Sequence, residues 1–147
     1  MNIIADEQIP LVAEAFASLG SVTQVAPRLL TPALLAQAEV LLVRSVTAVN
    51  AALLAGSPVR FVGTATIGTD HLDTDYLQQQ GIHYASAPGC NAEAVAEYVL
   101  SALCVLAARQ NFELPARTVG IVGYGNTGRA LAAKLAVLGV KVLRNDP

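Results

Sequence analysis

The chain has 147 residues, 54% of them hydrophobic, and a formal net charge of −2, enough apolar material to build a core in one ordinary domain or two small pieces and far from the polar, charge-rich balance of a disordered chain. Its nine Lys and Arg residues stand singly, so no basic run offers a surface for nucleic acid, and any phosphate recognition has to be local. The opening MNIIADEQIP carries two acids and no basic segment, unlike a secretory signal, and the longest nearly apolar run, residues 98–108, is well short of the roughly 20 residues a bilayer span needs, so a cytoplasmic protein with no membrane partner is expected.

In chain order, the pattern predicts a strand at 2–5 and a helix at 10–19 closed by Gly20 as a left-handed cap. A strand follows at 22–25, then a helix at 32–38 with Thr31 as N-cap and Pro32 in the first turn. A strand at 40–43 leads to a helix at 50–55 before Gly56. A strand at 60–63 leads to a helix at 74–80 after Asp73 and before Gly81, and a strand at 83–85 closes this series. Several of the strands are continuous apolar runs, such as VLLV at 40–43, which marks strands covered on both faces, as in parallel sheets. The alternation predicts an α/β protein with right-handed crossovers.

The longest expected helix spans 92–109, capped by Asn91 with Glu93 in its first turn. From Val95 to Ala108 it is apolar almost all round, apart from Glu97, Tyr98 and Ser101, so it is expected to be buried on most sides. It reads as a connector between two lobes and a surface for a second subunit. A polar linker at 109–117 then leads to a strand at 118–122, a helix at 127–138 before Gly139, and a strand at 141–143. Cys90 and Cys104 lack CxxC spacing and a neighbouring His, so no metal site is expected. Cys104 reads as a buried helix thiol and Cys90 as a loop thiol.

Gly123-Tyr124-Gly125-Asn126-Thr127-Gly128 matches G-x-G-x-x-G, with a strand before it, a helix and a second strand after it, and Asp146 18 residues beyond Gly128. Gly123 permits the tight turn, Gly125 lets backbone N–H groups approach a pyrophosphate, and Gly128 lets helix and strand pack closely. The helix N-terminus favours a phosphate. Asp146 can accept hydrogen bonds from a ribose diol and would repel a 2′-phosphate, which argues for NAD over NADP, although Arg144 on the same strand face pulls the other way. The competing reading is a glycine-rich turn with no ligand. Arg44 is a lone cation at a strand end beside Ser45, suited to a carboxylate or phosphate; its competing reading is a surface ion pair.

VRSVT (43–47), FVGTATIGTDHLD (61–73), APGCNAEAVAEYVL (87–100) and TVGIVGYGNTGR (118–129) together resemble the D-2-hydroxyacid dehydrogenases, in order and over essentially the whole chain. The resemblance implies a flavodoxin-like parallel-sheet lobe (1–90) that binds substrate. The connecting helix and the first βαβ unit of a Rossmann dinucleotide-binding lobe (91–147) follow it, and the active-site cleft lies between the lobes. It implies NAD as cofactor, a small phosphorylated 2-hydroxy acid as substrate, a homodimer, and a full enzyme more than twice this length. Ser45 and Thr66 match loop positions that contact substrate, and Asn126, Thr127 and Asp146 match cofactor contacts. The family's Arg, Glu and acid/base His fall beyond this stretch of its pattern. No catalytic residue is therefore assigned to this chain, which alone is expected to be inactive and to hold NAD weakly or not at all, since one βαβ unit supplies half a dinucleotide site. His71, between Asp70 and Asp73, is accordingly expected to lead into a helix, bonded to its neighbours, and His83 to begin a strand. Cys90 has no group to favour its thiolate. Two readings stand beside this one: another D-2-hydroxyacid dehydrogenase, acting for instance on phosphoglycerate, and a non-catalytic NAD-sensing module. A piece this size is also expected to associate with copies of itself through its uncovered last strand and apolar helix.

Overall fold

The computed structural model describes residues 1–146, which fall into two compact units, Met1–Pro88 and a second beginning at Gly89. The first is a five-stranded sheet, β1 (Asn2–Asp6), β2 (Ser21–Val25), β3 (Val40–Val43), β4 (Phe61–Thr64) and β5 (His83–Ala85), in the order β2-β1-β3-β4-β5. Every neighbouring pair is parallel. This is the doubly wound flavodoxin-like order, whose direction of growth reverses between β1 and β3. The helices are α1 (Val12–Phe16), α2 (Ala51–Leu54) and α3 (Thr74–Gln79).

The continuous apolar strands are explained by two cores, one on each face. In β3, Val40 and Leu42 enter one cluster with Ile3, Ala5 and Val12. Leu41 and Val43 enter the other with Leu35, Leu54, Val62 and Leu77. Side chains alternate across a strand, so a strand with both faces covered has no polar positions to spare. Two helices start on side-chain caps: Asn50 Oδ1 accepts from Leu53 N–H (3.2 Å) and Asp73 Oδ1 from Tyr76 N–H (3.0 Å).

Three local expectations fail. The helix expected over 10–19 is helical only at Val12–Phe16, and Gly20 is not left-handed. A Cβ on Gly20 would run into the Met1 backbone, whose carbonyl accepts from Ser21 N–H (2.9 Å). The glycine is there for close approach and not for a left-handed cap. The helix expected over 32–38 is a single 3-10 turn, Leu34–Gln37. Thr31 Oγ1 does accept from Leu34 N–H, at 3.4 Å, but the segment drives Leu35 into the core (0% exposed) and then turns straight into β3. A further 3-10 turn at Pro27–Leu29 was not expected.

At the sheet's reversal point, Asp6 ends β1 with its side chain fully buried. Its Oδ1 accepts from Gln8 N–H (2.9 Å) and its Oδ2 from Arg44 Nε–H (2.9 Å), while Arg44 Nη2 donates to Gln8 Oε1 (2.8 Å). A buried carboxylate needs such partners. The pair therefore ties the chain leaving β1 to the chain leaving β3.

The second unit holds α4 (Ala92–Gln110), β6 (Thr118–Val122), α5 (Asn126–Val137) and β7 (Lys141–Asn145), with β6 and β7 parallel. Its core is Ala96, Ile121, Leu131, Ala132, Leu135 and Val140. Lys134 on α5 meets Glu93 (2.8 Å) and Glu97 (3.4 Å) on α4. The expected linker at 109–117 contains a 3-10 turn, Leu114–Ala116. Asn91 stands at the N-cap of α4 but makes no side-chain cap bond. Only Ala92 and Ala96 of α4 are buried, against the expectation of burial on most sides. Tyr98, Val105 and Leu106 are exposed, and so is Cys104, which was expected to be buried. A two-stranded layer with one helix offers α4 a single narrow face to cover.

Two predictions test this packing. Leu77→Ala, in the first core, should cost about 2–5 kcal/mol in urea unfolding, whereas Val137→Ala, at a position 88% exposed, should stay within about 0.5 kcal/mol. Arg44→Met should cost roughly 2–3 kcal/mol by strand-anchored Asp6 losing its charged partner, and the combined Asp6→Asn, Arg44→Met variant should recover part of that loss in the same assay.

Candidate functional site

In a parallel sheet of this order, the C-terminal strand ends around the reversal point form the ligand-binding edge. The loop after β3 carries Ser45 and the loop after β4 carries Thr66, and parallel pairing of Val43 with Thr64 sets the two loops side by side. The structure brings both residues into one open pocket of about 390 Å³, with Gly68, Asp70 and His71. No Lys or Arg lines it among the described residues. Arg44 is turned to Asp6 and Gln8, the ion-pair alternative for this residue, although its partner is buried and not on the surface.

Thr66 Oγ1 donates to the Gly68 carbonyl (3.0 Å) and lies 2.7 Å from Thr64 Oγ1, which in turn lies 2.9 Å from His71 Nε2. His71 is thus bonded across the pocket to the end of β4 and not to its sequence neighbours. Burial pushes its imidazole below the ordinary value, opposed by the Asp70 carboxylate beside it. His83 begins β5 and is exposed.

The second unit carries the glycine loop. Gly123 sits at φ +89°, a conformation that glycine adopts without strain, and its N–H donates to Asn145 O (2.8 Å). A Cβ on Gly128 would strike the Gly123 carbonyl and press on Ile121, so helix and strand approach only because that position is bare. At Gly125 the direction of a Cβ is open space. Gly125 is the N-cap of α5, and its carbonyl accepts the first intrahelical bond, from Arg129 N–H (3.0 Å). The N–H groups of Asn126, Thr127 and Gly128 precede that bond and have no intrahelical partner. Asn126 is exposed and Thr127 half-buried.

Asp146 is exposed just past β7, yet reaches back across the loop: its Oδ1 accepts from Tyr124 N–H (2.8 Å). Arg144 stacks over the Tyr124 ring, 4.6 Å from its centroid, in a cation–π contact. The acid, the turn and the neighbouring cation therefore form one assembly around Tyr124. Sequence reading missed two participants, Asp6 and Thr64. A charged residue finishing the apolar run NIIAD was the available signal for Asp6, while nothing in the sequence sets Thr64 apart from its neighbouring threonines.

Among the described residues no cluster of His, Cys, Asp or Glu could hold a metal ion, and no helix is long and apolar enough to cross a membrane.

Comparison with known proteins agrees with this architecture. The chain is 56% identical over 147 residues to erythronate-4-phosphate dehydrogenase of Escherichia coli O1:K1 / APEC, covering 100% of this chain and 39% of that protein; it thus spans well under half the length of such curated relatives. Among solved structures, D-lactate dehydrogenase from Aquifex aeolicus, complexed with NAD and lactic acid, superposes with a TM-score of 0.75 at 21% identity, over 98% of this chain and 50% of that one. Cofactor-bound 3-phosphoglycerate dehydrogenase from Entamoeba histolytica superposes at 0.76 with 23% identity, over 100% and 54%; both likenesses show the fold. The family model described as D-isomer specific 2-hydroxyacid dehydrogenase, catalytic domain, matches residues 2–141, and the chain belongs to that family.

Proposed function

We propose that this chain is the front part of an erythronate-4-phosphate dehydrogenase, whose full-length form oxidises the C2 hydroxyl of 4-phospho-D-erythronate to a ketone, giving 3-hydroxy-2-oxo-4-phosphooxybutanoate on the route to pyridoxal 5′-phosphate. The observation that carries the reading is the 56% identity sustained over 147 residues. Residues 1–90 would serve as the substrate lobe and 91–147 as the start of the dinucleotide lobe, in a cytoplasmic homodimer; the exposed apolar side chains of Tyr98, Val105 and Leu106 support an associating surface.

The glycine loop fits NAD. The open space over Gly125 and the unpaired N–H groups of Asn126, Thr127 and Gly128 suit a pyrophosphate. Asp146 has one carboxylate oxygen spent on Tyr124 and a second that suits a ribose diol, while its charge disfavours a 2′-phosphate. When bound, NAD supplies the hydride acceptor. On the substrate side, the hydroxyls of Ser45 and Thr66 would hold anionic oxygens of the substrate. Arg44 would act indirectly, keeping the Ser45 loop in place through Asp6. The proton acceptor for the C2 hydroxyl belongs to no residue of this chain, so this stretch binds and orients.

Three outcomes are expected. An enzyme of the relatives' length carrying this chain should reduce NAD with 4-phospho-D-erythronate and be far slower with 3-phosphoglycerate, as followed by the absorbance of reduced nicotinamide; the opposite preference would reject the substrate. The chain alone should give no turnover and bind NAD more weakly than micromolar by calorimetry. In the longer enzyme, Asp146→Ala should raise Kd for NAD roughly tenfold, the worth of a hydrogen bond to a charged group, with a smaller change for NADP.

A further inference from the structure

The pocket at the strand ends contains a hydrogen-bonded chain whose polarity can be read. Thr66 Oγ1 donates to the Gly68 carbonyl (3.0 Å), and a carbonyl can only accept. A hydroxyl carries one proton, so Thr66 must accept in its 2.7 Å contact with Thr64 Oγ1. Thr64 thereby spends its own proton and must accept in the 2.9 Å contact with His71 Nε2. Nε2 therefore carries hydrogen. The direction is fixed from one end to the other: His71 to Thr64 to Thr66.

Two further observations give this polarity a use. Thr64 is 4% exposed, so its hydroxyl finds its partners inside the protein. Thr66 and Ser45 face the pocket, and that pocket is lined by no cation among the described residues while containing Asp70. From this stretch of chain, an anion held here meets neutral donors. A hydroxyl able to turn its lone pair outward would repel it; one whose lone pair is already engaged by Thr64 presents its proton. On anion binding Thr66 need only swing that proton from the Gly68 carbonyl to the incoming oxygen.

We propose that His71 is a positioning residue that, through the buried hydroxyl of Thr64, fixes the hydroxyl of Thr66 as a donor to an anionic oxygen of the substrate. The assignment rests on the dehydrogenase reading above. The cooperative strengthening expected along such a chain raises the donor strength of Thr66 without placing a charge beside Asp70. Burial favouring the neutral imidazole agrees with this arrangement.

The test uses the full-length enzyme with 4-phospho-D-erythronate and NAD. His71→Leu and Thr64→Val should each raise KM for the hydroxy acid roughly tenfold, the loss of about one polarised hydrogen bond to an anion, with kcat within about twofold and KM for NAD unchanged. His71→Gln, which retains an N–H donor, and Thr64→Ser, which retains the hydroxyl, should recover most of the affinity. An unchanged KM in His71→Leu overturns the proposal, as does equal loss in the two conservative variants, which would mark a packing role. Nitrogen-15 spectra of His71 give a readout that needs no turnover: hydrogen on Nε2 is expected, and hydrogen on Nδ1 alone overturns the relay. If the wild-type enzyme fails to turn over this acid, the functional reading itself falls; if wild type works and the variants match it, the relay alone falls.

Discussion

A carboxylate sealed from water at the end of the first strand dictates the geometry of the first unit of this molecule. Asp6 lies where the order of the sheet reverses, and a charge there persists only if satisfied from within. Arg44 and the Gln8 amide do so, and in doing so they fasten two chain exits that the sheet alone would leave independent. The loop bearing Ser45 begins at that fastening. The pocket is thereby built on an edge whose neighbouring chain exits are tied together.

Much of this was legible from residues alone. All seven strands lie close to the runs that predict them; for β3 the reason is plain, because a strand covered on both faces has to be apolar at every position. Helix lengths were less legible. The stretch after Thr31 has the composition of a helix start, but Leu35 must reach the core within a few residues of β3, and a 3-10 turn does so where a longer helix would overshoot. Gly20 shows a different limit: its need is a long-range approach to the Met1 backbone, which no local pattern records. Cys104 and the apolar flank of α4 were expected to be buried because composition reports what a helix could bury and not whether a partner is in place.

The site divides along the same line. The glycine loop, with its strand, helix and acid, was readable because Gly123 and Gly128 answer local demands, a left-handed turn and a close approach of helix to strand. The pairing of Ser45 and Thr66 in one pocket was inferable from the edge rule for α/β sheets together with family likeness. The connections through Thr64 and Asp6 were not, because a hydrogen-bond network depends on the meeting of loops distant in sequence. His71 illustrates this: between two aspartates it reads as a helix-entry residue bonded to its neighbours, whereas its ring is spent on a threonine at the end of β4.

The assembly around Tyr124 has a consequence for anyone seeking to retune the cofactor preference. The carboxylate that would turn away a phosphorylated ribose also plugs the backbone of the glycine turn, and the guanidinium that could welcome such a phosphate is already occupied by the aromatic ring between them. On the proposed reading, selectivity and loop order are thus mechanically coupled. Exchanging the acid alone would unfasten the cradle without freeing the cation, so a productive switch would have to redesign Tyr124, Arg144 and Asp146 as a single unit.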